Sequence, residues 1–247
     1  MLLAIHGLGS DSSAMRGYLA GAVPAGVQVL APDLRAHGAN PLIGEPDDFA
    51  LEALADEVAA ELIRVGDGSP VSIVGVSLGA ALAQLIARSG RFPLDRVALV
   101  RPAFTTEPLP HNLAVFPVLG RLLEERRPQR VLDQLRASGA WRAIAHESLA
   151  HARALEAQVT QPRAAERRIR LLEIPRSAAY RPGELRIDAP TVVLASERDP
   201  VHPLHVAEAW RDELGTRMLV SPARDDGEEA MMRWFQQQLG SFLVGVR

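Results

Sequence analysis

The stretch Val71-Ser72-Ile73-Val74-Gly75-Val76-Ser77-Leu78-Gly79-Ala80-Ala81-Leu82-Ala83 decides the fold. It opens on a short β-branched and aliphatic run, Val71 to Val74, of strand length. It continues into Leu78 to Ala87, alanine-rich and apolar nearly all round, as in a helix covered by its neighbours. Between them stands Gly75-Val76-Ser77-Leu78-Gly79, a G-x-S-x-G pentapeptide. A serine turned sharply out of a strand end takes a strained backbone, and only very small residues two before and two after it let strand and helix approach. Gly75 and Gly79 supply that room, so the pattern predicts a nucleophile elbow at Ser77.

Working outward, similar apolar runs occur at Leu2 to Ile5, Val27 to Ala31, Val97 to Val100, Thr191 to Ala195 and Met218 to Ser221, bounded by Gly, Pro or Asp. Segments of helical period separate them: Leu51, Leu54, Ala55, Val58, Leu62 and Val65 fall on one apolar stripe. Such alternation predicts an α/β fold, a mainly parallel sheet of about six strands with helices on both faces. Between Ala103 and Asp188 no strand pattern occurs, and helical patterns are divided by Pro108, Pro110, Pro128, Gly139, Pro162, Pro175 and Pro182. The expected organisation is a core of residues 1–102 and 189–247 with a helical cap, 103–188, inserted in it. The cap is dense in arginine, with Arg126, Arg127, Arg130, Arg163, Arg167, Arg168 and Arg170 among others. A solvated helix face and a pocket for an acidic group both fit that pattern.

Composition narrows the chemistry. Hydrophobic residues make up 47% and charged residues 23% of 247 residues, enough to bury one sizeable core. A formal charge of -3 gives no strongly cationic field, so the expected partner is a small molecule, with no nucleic acid and no membrane. There is no cysteine, which excludes disulfides, thiolate metal sites and a cysteine nucleophile. All 27 basic side chains are arginine, which excludes a Schiff-base lysine and a phosphate-loop lysine. No cofactor is implied. Met1-Leu2-Leu3-Ala4-Ile5 has no basic segment before it and no cleavage site after it, and no apolar run reaches ~20 residues. The expectation is a cytoplasmic protein.

Metal chemistry finds little support. His146-Glu147-Ser148-Leu149-Ala150-His151 differs from H-E-x-x-H by one residue, and on a helix a five-residue step carries the second imidazole off the face of the first. His202 and His205 lie three apart, but no third ligand is specified.

Three further segments accompany the elbow. With His6-Gly7-Leu8-Gly9-Ser10, Asp33-Leu34-Arg35-Ala36-His37-Gly38 and Asp199-Pro200-Val201-His202-Pro203 in this order, the chain resembles the α/β-hydrolase family over nearly its full length. The first segment is similar to the family's histidine-glycine loop, the second to the loop after its next strand, and the third to its acid-bearing turn. The resemblance implies a trimmed member without the first antiparallel hairpin. It also implies Ser77 as nucleophile, the backbone N–H groups of Leu8 and Leu78 as oxyanion donors, and Asp199 as the acid orienting a histidine.

One departure stands out. The family places its histidine after the last strand, yet Ser221 through Ala230 contains none. A serine without a positioned base loses several orders of magnitude in rate, and Asp225 and Asp226 are weaker bases than imidazole. His202 is the best-placed substitute, three residues after Asp199 on the sheet's carboxyl edge, although a packing role at the start of the next helix also fits. His111, His146 and His151 belong to the cap and could descend over the pocket as substitutes, although surface positions are the stronger expectation; His6 and His37 are expected to shape loops by hydrogen bonding. The leading expectation is a small-molecule acyl or carboxylic-ester hydrolase using Ser77, Asp199 and His202. The missing histidine keeps two others open: a cofactor-free lyase, cyclase or acyl-transfer catalyst, and a noncatalytic binder of acidic compounds.

Overall fold

A computed structural model describes residues 1–125 and 127–245; Arg126, one of the cap arginines named above, lies outside the described residues. The strands are β1 (Leu2–Ile5), β2 (Val29–Leu30), β3 (Val71–Val76), β4 (Leu94–Val100), β5 (Thr191–Ser196) and β6 (Arg217–Ser221). All pair in parallel, in the order β2-β1-β3-β4-β5-β6. The helices are α1 (Ser12–Leu19), α2 (Leu51–Val65), α3 (Leu78–Arg88), α4 (Val115–Leu122), α5 (Pro128–Ala137), α6 (Gly139–Glu147), α7 (Leu149–Ala157), α8 (Ile169–Glu173), α9 (Leu204–Leu214) and α10 (Glu228–Leu243). None of the described helices is long and apolar enough to cross a membrane.

Period-two alternation sends successive strand residues to opposite faces. Leu2, Ala4, Val74, Val76, Ala98 and Val100 share one apolar cluster with Met15 and Leu19 of α1 and Met231, Phe235 and Leu239 of α10. Leu3, Ile5, Ile73, Val97, Leu99 and Val193 belong to the other, with α2, α3 and α9. The predicted run Val27 to Ala31 shortens to Val29–Leu30. It is an edge strand flanked by Pro24 and Pro32, which donate nothing to a ladder, and Val29 is exposed.

The chain moves from β1 outward to β2 and then returns to the other side of β1 with β3. That reversal opens a crevice at the carboxyl ends of β1 and β3, where ligands of open α/β sheets bind. Between β4 and β5 the described residues contain no strand; α4 to α8 pack through Phe116, Leu119, Leu135, Leu155 and Leu171 into the apolar cluster that covers the α3 face.

Close approach at the β3–α3 bend is enforced by glycine. A Cβ at Gly79 would lie 2.0 Å from the Ile5 carbonyl oxygen, and one at Gly75 would lie 2.1 Å from the Gly79 carbonyl oxygen. Both neighbours are backbone and cannot swing aside. Gly79→Ala is therefore expected to cost about 3 kcal/mol or more, roughly 6–12 °C in Tm for a chain of this size. Thermal unfolding checks this, and an unchanged Tm would contradict the packing described.

Candidate active site

Ser77 occupies the cap position of α3 with φ 57° and ψ -111°, a left-handed conformation that a non-glycine residue adopts at a cost of about 1–3 kcal/mol. Its N–H donates to the Val100 carbonyl at 2.9 Å, which fixes the bend. Serine at a helix start ordinarily turns its oxygen onto the helix's free amides, but this hydroxyl makes no such bond. It lies instead 2.8 Å from Nε2 of His202.

His202 is held by its own turn. The Asp199 carboxylate accepts the backbone N–H groups of Val201 at 3.1 Å and His202 at 3.0 Å. The same carboxylate lies 2.9 and 3.0 Å from Nδ1 of the ring. Asp199 thus forms the turn and orients the imidazole at once; Pro200 and Pro203 stiffen the segment by fixing their own φ and restricting the residues before them. A carboxylate facing Nδ1 requires a proton there, which leaves the lone pair of Nε2 toward the Ser77 hydroxyl. The segment after β6 holds no histidine, and the imidazole beside Ser77 comes from the turn after β5.

Sequence reasoning missed Arg101. It follows β4 directly with φ 50°, and its side chain reaches Asp199 with Nε at 2.8 Å and Nη2 at 2.7 Å. Nη1 donates to the Tyr18 hydroxyl at 3.1 Å. A signal was present: an arginine directly after the buried run Val97 to Val100, on the edge where functional groups gather.

His151, expected at the surface, is buried in the same network. Ser148 donates its hydroxyl hydrogen to Asp225 and accepts from Nδ1 of His151 at 2.8 Å. Nε2 of His151 lies 3.0 Å from Nη2 of Arg101 and 3.1 Å from a carboxylate oxygen of Asp199. Asp225 therefore sits in the segment that lacks a histidine and ties α7 to the loop after β6, accepting also the Ala150 N–H at 3.1 Å. His146 is exposed on α6, and a break at Ser148 puts it on a different helix from His151, so the single-helix geometry assumed above does not apply. His111 and His205 are exposed. His6 and His37 do shape loops: Nε2 of His6 accepts the Leu34 N–H at 3.0 Å, and Nδ1 of His37 donates to the Arg35 carbonyl at 2.7 Å.

Burial is the largest influence on His202, pushing its pKa down to about 4; Asp199 opposes this and Arg101 reinforces it. Burial also pushes Asp199 up, but Arg101 and His202 overcome it and hold the carboxyl well below its usual range. At neutral pH the pair is therefore carboxylate and neutral imidazole. His151, Asp199 and His202 bring ligand atoms within 4.8 Å of one another. Arg101 lies within hydrogen-bond distance of all three and already supplies the cation such a group would attract.

The backbone N–H groups of Leu8 and Leu78 have no acceptor among the described residues. Leu78 is the first residue of α3, where amides are left free by helix geometry. A cavity of about 990 Å³ lined by Leu123, Val131, Val159 and Ala164 touches neither Ser77 nor His202, so volume alone does not mark the site.

A profile of the alpha/beta hydrolase family matches residues 2–241. Among solved structures, a hydrolase from Pseudomonas aeruginosa PA01 is 16% identical, covers 99% of this chain and 89% of its own, and superposes with a TM-score of 0.69. MenH from S. aureus is 16% identical with coverages of 98% and 92% and a TM-score of 0.71. A thermophilic esterase from Thermogutta terrifontis is 17% identical with coverages of 97% and 90% and a TM-score of 0.67. At such identities the likeness is one of fold. No curated protein matches the chain.

Proposed function

Since the chain belongs to the alpha/beta hydrolase family, we propose that it hydrolyses small carboxylic esters or related acyl compounds, with Ser77 as nucleophile, His202 as general base and Asp199 as the orienting acid. The observation that carries this reading is the 2.8 Å contact between Nε2 of His202 and the hydroxyl of a serine in strained backbone.

In this mechanism Ser77 Oγ attacks the substrate carbonyl carbon as its proton passes to Nε2 of His202. The imidazolium that forms is stabilised by Asp199. Negative charge gathering on the carbonyl oxygen meets the free amides of Leu8 and Leu78, and the latter adds the positive end of the α3 dipole. The tetrahedral species collapses as His202 returns the proton to the leaving alcohol, giving an acyl-serine. Water then attacks that ester with His202 again accepting a proton. The free acid leaves and Ser77 is restored. Residues 103–188 act in this reading as the cap over the acyl site, and the chain's partner is its small-molecule substrate.

A base with its pKa near 4 is weak, yet it is wholly unprotonated at neutral pH. Its advantage lies in position. The test is an activated short-chain ester together with a fluorophosphonate probe. Turnover and labelling are expected for the native protein, with both abolished by Ser77→Ala. A native protein that neither labels nor turns over the ester would overturn the proposal and leave the bend as architecture.

A further inference from the structure

The arginine-dense insertion sorts itself by burial. Several of its surface arginines pair with carboxylates: Arg127 with Glu125, Arg136 with Glu156 and Arg163 with Glu166, at 2.6 to 2.7 Å. Others, such as Arg142 and Arg153, are unpaired among the described residues but exposed to water; Arg167 and Arg170 differ in being buried. They are 7% and 3% exposed, and neither has a carboxylate within 4.0 Å among the described residues. Arg170 donates from Nη1 to the Ala36 carbonyl and from Nη2 to Oε1 of Gln161 at 2.7 Å. Arg167 donates to the Asn40 carbonyl at 3.3 Å. The Nε of each is buried with no acceptor. Arg168 and Arg224 also have partnerless Nε atoms, but those guanidinium groups pair with Glu124 and Glu228.

Two buried, mutually repelling cations satisfied only by neutral oxygens are costly, several kcal/mol per ion before compensation. Burial pushes Arg170 down to about 10, and Arg167 is the neighbouring charge that adds to it. An anion between the two guanidinium groups would offset that cost.

The place is informative. Gln161, which accepts from Arg170, donates its own amide to the Gly9 carbonyl at 2.8 Å. Gly9 is so tightly covered that a Cβ there would lie 2.3 Å from the Gln158 side chain. Residues 158 to 170 therefore rest on the loop that carries the Leu8 amide, and two hydrogen bonds connect Arg170 to it.

We propose that Arg167 and Arg170 form a subsite for a carboxylate carried by the substrate, so that the compounds cleaved are esters or acyl compounds of dicarboxylic acids. This rests on the hydrolytic reading of Ser77. A carboxylate is favoured over a phosphate because a planar, singly charged anion matches the parallel N–H pair along one guanidinium edge, where the buried Nε of each arginine is unspent, and loses less hydration on burial than a phosphate dianion.

Two measurements test the subsite. The first compares kcat/KM for the 4-nitrophenyl monoester of succinic acid with its methyl-capped neutral isostere and with a phosphate-bearing ester. The native protein is expected to favour the free acid by about 10- to 100-fold over the neutral isostere, and Arg170→Met or Arg167→Met to bring that ratio towards one. A native ratio near one, a ratio that survives both substitutions, or a stronger preference for the phosphate ester overturns the assignment. The second needs no turnover: in Ser77→Ala, succinate or glutarate is expected to raise Tm, and the rise to vanish when Arg170→Met is added. A Tm rise without ester hydrolysis would retain the subsite and sink the hydrolytic reading. Hydrolysis without acid preference would do the reverse. Arg170→Met alone is expected to unfold no earlier than the native protein, since it removes an uncompensated charge; a guanidinium serving only as a brace would lower Tm when removed.

Discussion

His202→Ala is expected to lower kcat/KM for an activated ester by about 10⁴-fold or more, measured by steady-state hydrolysis with circular dichroism confirming an intact fold. The size follows from the arrangement: among the described residues no other imidazole contacts the Ser77 hydroxyl, and the bond at 2.8 Å is the only proton path away from it. The fold is expected to survive because the Arg101–Asp199 ion pair remains, so no charge is orphaned. His151 supplies the internal control. It touches Arg101, Asp199 and Ser148 but not Ser77, so His151→Ala is expected to cost less than about 30-fold. An inversion of these two effects would transfer the base to His151 and discard the proposed roles.

Arg101→Met is expected to be nearly as severe, first in stability. Asp199 has no exposed side-chain surface, and removing its guanidinium partner leaves a buried carboxylate with two backbone amides and two imidazoles but no fixed cation. Breaking one side of a buried pair costs about 3–5 kcal/mol. The second effect is on pH dependence. Hydrolysis requires neutral His202, so native kcat/KM should be level down to about pH 5 and fall tenfold per unit below a pKa of about 4. Arg101 is one of the groups opposing the imidazolium. Removing it favours the protonated ring, so the acid limb should move up towards the ordinary imidazole value of about 6.5. A profile of kcat/KM against pH for both proteins decides the matter; a limb that stays in place, with unchanged Tm, would show that Arg101 does not govern the pair.

Much of this was legible in the residues. Runs bounded by Gly, Pro and Asp located the strands because a strand buried on both faces is written as nearly continuous apolar sequence. The elbow was legible because its glycines answer a steric demand that no other side chain meets. Asp199 and His202 were legible as neighbours, but their shared reach to Ser77 was not, since that depends on how the ends of β3 and β5 lie across the intervening β4. Arg101, Ser148 and Asp225 were illegible as a group for the same reason. They come from three separate segments and meet only after the insertion has packed. The arginines between β4 and β5 show the limit of composition: Arg163 and Arg167 are indistinguishable by type, and only burial separates the surface ion pair from the unpaired cation.

Asp199 and His202 share one short turn stiffened by two prolines, and this affects how the molecule tolerates motion. With a base and its orienting acid on separate loops, two gaps must stay closed as the scaffold breathes. Here a single gap, from the imidazole to the serine, is left to drift, and jitter in the segment after β6 has no direct lever on it. Heating such a molecule should therefore weaken its chemistry only when the sheet edge itself begins to part.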